Sequence, residues 1–88
     1  MKYRSRTEII ASMLEALASG PATKTRMMYK SYLSYQQLQQ YLEYLQEKKL
    51  VIYEKETQLC RITERGLRFI HSYDEISELI APPAFHQV

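Results

Sequence analysis

The spacing of apolar residues changes character in one short stretch of this chain, and that change narrows the folds open to it. Up to Leu45 apolar side chains recur every three or four positions. Ile9, Ile10, Met13, Leu14 and Leu17 form one stripe, and Leu38, Tyr41, Leu42 and Leu45 form another. Each stripe predicts an α-helix with one face turned to a core. From Val51 the pattern becomes strand-like: Val51-Ile52-Tyr53, then Leu59-Cys60-Arg61-Ile62, separated by the polar run Glu54-Lys55-Glu56-Thr57. This predicts a short antiparallel hairpin, with no Gly or Asn in the turn to define its type or register. After Thr63 the helical period returns.

The boundaries carry their own signals. Ser5 with Glu8 and Ser34 with Gln37 are capping boxes, in which each side chain satisfies a backbone donor at a helix start. The first opens a helix from Ser5 to about Ala18, which Gly20-Pro21 stops. Thr23 predicts the N-cap of a short helix over Lys24 to about Lys30, with Met27 and Met28 turned inward. Tyr32-Leu33 reads as a turn with Leu33 as a buried plug. The second capping box opens a helix that ends near Lys48-Lys49, where cations suit the negative end of the helix dipole. Thr63 caps a last helix to about Ile80. Within it Gly66 is unfavourable by ~1 kcal/mol relative to Ala, which suggests close packing at that point. Pro82-Pro83 ends the helix, and 81–88 are expected to be a frayed tail.

Eighty-eight residues, 45% hydrophobic and 25% charged, suit one ordinary globular domain. A chain of this size buries only about 60–65% of its unfolded surface, so a partner subunit would add stability. No apolar run approaches the ~18 residues that span a membrane. The basic start, Met1 to Arg6, is followed by no continuous apolar stretch, so no signal peptide is expected and the expected location is the cytoplasm. Cys60 is the single cysteine; with only His71 and His86 beside it there is no disulfide and no metal-ligand spacing. In an apolar, alternating segment it reads as a small buried hydrophobe.

The net charge of +2 is unevenly spread. Residues 1–30 carry Lys2, Arg4, Arg6, Lys24, Arg26 and Lys30 against Glu8 and Glu15, while the remainder is net acidic. A front-loaded positive charge suits contact with a polyanion by one face.

Three helices, a two-stranded hairpin and a final helix, in that order, describe a winged helix-turn-helix: mostly α with a small β-hairpin as the wing. Residues 1–63 form that domain and 64–80 its C-terminal helix. In such a fold the third helix, about 34–48, would lie in the major groove of DNA. The sequence also resembles a small archaeal winged-helix group through Thr23-Lys24-Thr25-Arg26-Met27-Met28-Tyr29, Leu33-Ser34-Tyr35, Tyr41-Leu42, Leu45, Leu50-Val51 and Ile62-Thr63-Glu64-Arg65-Gly66. The resemblance spans roughly residues 7–70. Members of that group include abundant DNA-binding proteins of Sulfolobus that dimerise through an antiparallel coiled coil of their last helices. It implies binding of double-stranded DNA, a role in transcription regulation or chromatin organisation on the nucleoid, and a homodimer. This chain departs from the group where Pro82-Pro83 cut the last helix early, so the dimer contact would be shorter or differently arranged.

The residues point the same way. Gln36, Gln37, Gln39 and Gln40 give the start of the third helix an outward Gln-rich face, and Gln can make a bidentate contact with adenine. Gln is also simply a good solvated helix former. Tyr35 can reach a phosphate or a thymine methyl, whereas Glu43 and Glu47 repel phosphate and limit how much of the helix enters the groove. Lys24, Arg26 and Lys30 are the expected phosphate contacts. Thr23, Thr25 and Ser34 stand with them, Thr23 and Ser34 also as caps. Lys2, Arg4 and Arg6 read as a basic arm or a frayed terminus. In the wing, Lys55 is the contact expected at the tip, with Arg61 nearby; the acidic balance there keeps open a second reading, a winged-helix module that binds another protein. In the last helix, Phe69, Tyr73, Ile76 and Ile80 form a short heptad seam expected to pair two copies, while Leu67 and Ile70 are expected to pack on the body. Eight tyrosines raise single-strand stacking as a minor reading. Tyr41, Tyr53 and Tyr73 fall on buried periodicities.

No catalytic pattern is visible. Gly20 and Gly66 are the only glycines, so no phosphate-cradling loop exists, and no Ser or Cys has a base arranged beside it. Asp74 and Glu75 are adjacent and point apart. The expectation is a binding protein, not an enzyme, with no cofactor, metal or small-molecule substrate and no membrane partner.

Overall fold

The computed structural model describes residues 4–80; Lys2, the expected tail at 81–88 and the side chain of Ile80 lie outside that description. Six elements follow the predicted order: α1 (Arg6–Ala18), α2 (Lys24–Ser31), α3 (Tyr35–Glu47), β1 (Val51–Glu54), β2 (Leu59–Ile62) and α4 (Glu64–Ile80). Both capping boxes form. Ser5 Oγ accepts from the Glu8 N–H at 3.1 Å while Glu8 Oε1 accepts from the Ser5 N–H at 2.7 Å. Ser34 and Gln37 repeat the exchange at 3.1 and 3.0 Å. Thr23 caps α2, its Oγ1 accepting from the Arg26 N–H at 3.2 Å.

The two helical stripes seen in the sequence meet in one core. Met13, Leu14 and Leu17 of α1, Met27 of α2, and Leu38, Leu42 and Leu45 of α3 are buried together with Val51 and Cys60 of the hairpin. Leu33 plugs the turn between α2 and α3, and Met28 is half-buried beside the core. That turn places Tyr32 in the left-handed region at φ 56°, a conformation that glycine enters more cheaply. The Leu33 N–H, donating back to Met28 O at 3.0 Å, closes it.

β1 and β2 pair antiparallel from Val51 opposite Ile62 to Glu54 opposite Leu59. This leaves the loop 55–58, with Gln58 at φ 58° in the role a Gly or Asn usually takes. Thr63 caps α4: its Oγ1 accepts from the Gly66 N–H at 3.0 Å and donates to the Lys49 carbonyl at 2.7 Å. Gly66 sits where the sequence suggested close packing. A Cβ there would lie 2.5 Å from Leu50 O and 2.7 Å from Ile62 Cγ1.

The packing of α4 corrects two expectations. Leu67, read as a body contact, is exposed at 46%, whereas Phe69, read as part of a seam for a partner, packs with Ile70 against the chain's own core. Gly66 must face Leu50, and that requirement turns Phe69, Ile70 and Tyr73 inward and Leu67 out. Among the described residues no helix is long and apolar enough to cross a membrane. Nor do three or more His, Cys, Asp or Glu gather there as a metal site would.

Candidate nucleic-acid interface

Three elements converge where α2 and α3 begin. Cys60 pairs on one side with Tyr53 across the hairpin and on the other with Ala22. The Ala22 N–H donates to Cys60 O at 3.1 Å, and Ala22 O accepts from the Cys60 N–H at 2.7 Å. This isolated bridge pins the segment leading into α2 to the wing. Two positions later, half-buried Lys24 sets its Nζ 4.5 Å from the centroid of the Tyr53 ring, a cation–π contact that holds the ammonium between helix and wing. Thr23, Lys24, Thr25, Tyr35, Tyr53 and Gln58 line the resulting open cleft of about 360 Å³. The Cys60 thiol beneath is fully buried, and burial pushes its pKa up, so it stays a neutral packing group.

Of the residues expected from sequence, Thr23, Lys24, Thr25 and Tyr35 are therefore brought together. Arg26 is exposed on α2, while Lys30 lies six residues beyond Lys24, about 9 Å along the helix axis and away from the cleft. Gln36, Gln39 and Gln40 are exposed on α3. Gln37 is exposed too, but its Oε1 is occupied by the capping box, which leaves only its amide nitrogen free for a contact. Ser34 Oγ is occupied likewise. Lys55 stands exposed in the wing loop, clear of the cleft's lining.

Two cleft residues were not among the sequence candidates. Tyr53 shares the inward face of β1 with Val51, so periodicity marks it as core; it is half-buried because it forms the cleft wall under Lys24. Gln58 carried no signal, since its residue type does not advertise a positive φ.

The basic start of the chain is not a free arm at Arg4 and Arg6. Arg4 Nη2 donates to the Ser31 carbonyl at 2.5 Å and to that of Tyr32 at 3.4 Å, at the C-terminal end of α2. Arg6 lies over the Tyr44 ring of α3, its Cζ 5.7 Å from the centroid. In the wing Arg61 pairs with Glu54 at 2.9 Å, and Thr57 Oγ1 donates to the same carboxylate at 3.0 Å. The Arg61 hydrogen bond first, and Thr57 second, hold the Glu54 carboxyl below its ordinary pKa. Arg61 is thus occupied. Among the described residues, the ion pairs are Arg61–Glu54, Arg68–Glu64 and His71–Glu75, all in the hairpin and α4. Arg4, Arg6, Lys24, Arg26, Lys30, Lys48 and Lys49 have no carboxylate within salt-bridge reach there.

Known proteins share this architecture. A family model described as winged helix-turn-helix matches residues 3–81. Comparison with curated protein sequences finds no match. Among solved structures, Sso10a-2, a DNA-binding protein from Sulfolobus solfataricus, superposes with a TM-score of 0.70 at 21% identity, over 91% of this chain and 100% of that one. Wild-type ZitR of Lactococcus lactis superposes with a TM-score of 0.64 at 16% identity, over 92% of this chain and 64% of that one. A cysteine-to-serine mutant of the same Lactococcus lactis protein gives 0.60 at 18% identity, over 98% and 70%.

Proposed function

The chain belongs to the winged helix-turn-helix family, and from that premise we propose that it binds double-stranded DNA as a transcription regulator or chromatin-organising protein in the cytoplasm, on the nucleoid. The observation that carries this reading is the cleft at the start of α2 and α3. Lys24, Thr23, Thr25 and Tyr35 share it, Lys24 has no carboxylate partner among the described residues, and the Gln-rich face of α3 lies beside it. An ammonium held between a helix N-terminus and a wing meets a phosphate oxygen, which fixes the register of the duplex. α3 then lies in the major groove with Gln36 and Gln40 toward base edges and Gln39 beside them on the flank that faces the wing. Arg26 and Lys30 add charge further along α2, and Lys55 adds it at the wing tip. The likeness to Sso10a-2, itself a DNA-binding protein, agrees with this use of the fold.

The test is duplex binding followed by fluorescence anisotropy, on random and A·T-rich DNA, at low and moderate salt. Binding that weakens steeply with salt, and that is reduced by Lys24→Ala and Arg26→Ala, supports the reading. No binding at low salt overturns it and leaves the protein-interaction module as the use of the fold.

The same reading assigns α4 to a homodimer. Beyond the part packed on the body, Ile76 and Leu79 are exposed at 56% and 84%, apolar surface that a lone subunit leaves in water. Tyr73 and Ile76 line the edge of that overhang beside Ser5, Thr7 and Glu8, and by its heptad position Ile80 belongs to the same seam. Light scattering at micromolar concentration should return the mass of two chains; a monomer removes the assignment.

A further inference from the structure

We propose that Arg6 and Lys48, gathered on the Tyr44 ring, form a second phosphate-binding site, for the DNA strand opposite the one met by the Lys24 cleft. The inference rests on the DNA-binding reading above and adds to it a surface that α1 and the end of α3 build together.

Three observations lead to it. The first is a concentration of like charge. Arg6 Cζ lies 5.7 Å and Lys48 Nζ 5.6 Å from the same Tyr44 centroid, although one comes from α1 and the other from the C-cap of α3. Both side chains are exposed, and neither has a carboxylate within salt-bridge reach among the described residues. Glu8, the acid nearest to Arg6 in sequence, has its Oε1 engaged by the Ser5 N–H and forms no ion pair with Arg6. Two exposed cations held at one ring without a counter-charge leave that patch positive, which suits an anionic partner.

The second observation is position. At about 100° per residue, Tyr35, Gln39 and Gln46 lie along one flank of α3, and Gln37, Tyr44 and Lys48 along the opposite flank. Gln36, Gln40, Glu43 and Glu47 run between them. The first flank faces the wing: Tyr35 shares the cleft with Tyr53, and Gln46 shares a hollow with Val51, Ile52 and Tyr53. The second faces the start of α1, where Arg6, Gln40, Tyr41 and Tyr44 enclose a smaller pocket of about 150 Å³.

The third is the width of the ligand. A helix of about 10–12 Å diameter fills a major groove about 12 Å wide, so its two flanks meet the phosphates of the two different strands. Lys24 serves one flank. Arg6 and Lys48 serve the other, and Tyr44 fixes both cations at the groove wall while it can offer its own hydroxyl to a phosphate oxygen. Glu43 and Glu47, which project between the flanks, lie over the groove floor rather than against either backbone.

The experiment compares the salt dependence of duplex binding in the full-length wild type, Lys24→Gln, the double variant Arg6→Gln with Lys48→Gln, and the double variant Arg6→Lys with Lys48→Arg. Both substituted residues are exposed, and thermal melting checks that each variant folds. Each phosphate contact contributes about 0.9 to the slope of log affinity against log salt, so the Gln double variant should be shallower by about two. It should bind about eightfold more weakly per lost cation at 0.1 M salt, equally on duplexes of unrelated sequence. The charge-preserving double variant should keep the wild-type slope. If the Gln double variant keeps slope and affinity while Lys24→Gln loses both, DNA binding stands and the second site is overturned. A charge-preserving variant that loses as much as the Gln variant also overturns it, since packing rather than charge would then be at work. Wild type that binds no duplex at low salt overturns both readings together.

Discussion

The three-helix half of the molecule and its hairpin-plus-α4 half expose opposite kinds of surface. In residues 4–49 the large exposed hydrophobic side chains are Tyr29, Tyr32, Tyr35 and Tyr44; in residues 50–80 they are Ile52, Leu67, Ile76 and Leu79. The charges divide in the same place. Cations of the first half have no carboxylate partners among the described residues, whereas in the second half Arg61, Arg68 and His71 do and only Lys55 and Arg65 do not. A tyrosine presents a ring and a hydroxyl, and an unpaired cation seeks an anion, so the first surface suits a wet, polyanionic partner. An aliphatic side chain offers water nothing, so the second surface suits a dry contact with protein. One small chain thus keeps its two kinds of exposed surface in two different halves.

The sharpest test of that division lies in the apolar residues. Leu42→Ala removes a fully buried side chain from the three-helix core and should cost about 3 kcal/mol in urea unfolding. Leu79→Ala removes an equally large but exposed one and should leave the unfolding of dilute protein unchanged. Equal losses would break the comparison. Next comes the joint between the halves. Gly66→Ala drives a methyl group into Leu50 O and Ile62, and should lower stability by about 2 kcal/mol while the far-ultraviolet spectrum stays helical.

The charge contrast predicts a smaller effect, confined to DNA. Lys24→Gln should weaken duplex binding about eightfold at 0.1 M salt, whereas Arg61→Gln, whose guanidinium is already held by Glu54, should change it far less. Anisotropy titrations side by side decide this, and a larger loss for Arg61→Gln would reassign the interface to the wing. Smallest is the response of the wing to acid. Glu54's carboxyl is depressed in the folded chain, first by the Arg61 hydrogen bond and then by Thr57, so its contribution is present above the ordinary carboxylate value of 4.5. It fades as pH falls through the lower folded value. Carboxyl chemical shifts in a pH titration should place Glu54 below 4.5, and Arg61→Gln should return it toward that value.

Much of this architecture was legible in the residues. Ser5 with Glu8, Thr23, and Ser34 with Gln37 announced three helix starts, because a cap is a local exchange between a side chain and backbone donors at most three residues away. The alternation around Val51 and Cys60 announced the hairpin for the same reason, as periodicity is a property of the segment itself. Gly66 announced a tight contact, though not with what. Residue type and helix position marked Thr23, Lys24, Thr25 and Tyr35 as candidates, but marked Arg26, Lys30, Ser34, the glutamines of α3 and Lys55 equally, and which of them share a cleft was not legible.

What sequence could not decide were relations between segments distant along the chain. A helical stripe states which residues share a face, but the rotation of α4 about its axis was set by Gly66 meeting Leu50, and this sent Leu67 outward and Phe69 inward. Tyr53 read as core until the Ala22–Cys60 bridge brought α2 alongside it and laid Lys24 across its ring. Arg4 and Arg6 read as a loose arm until carbonyls at the end of α2 and the Tyr44 ring proved to be within their reach. Long side chains with many rotamers choose their partners from whatever the packed core brings near. Caps and periods are therefore written in sequence, while cation partners, cleft walls and the rotation of a terminal helix are decided only when the core closes.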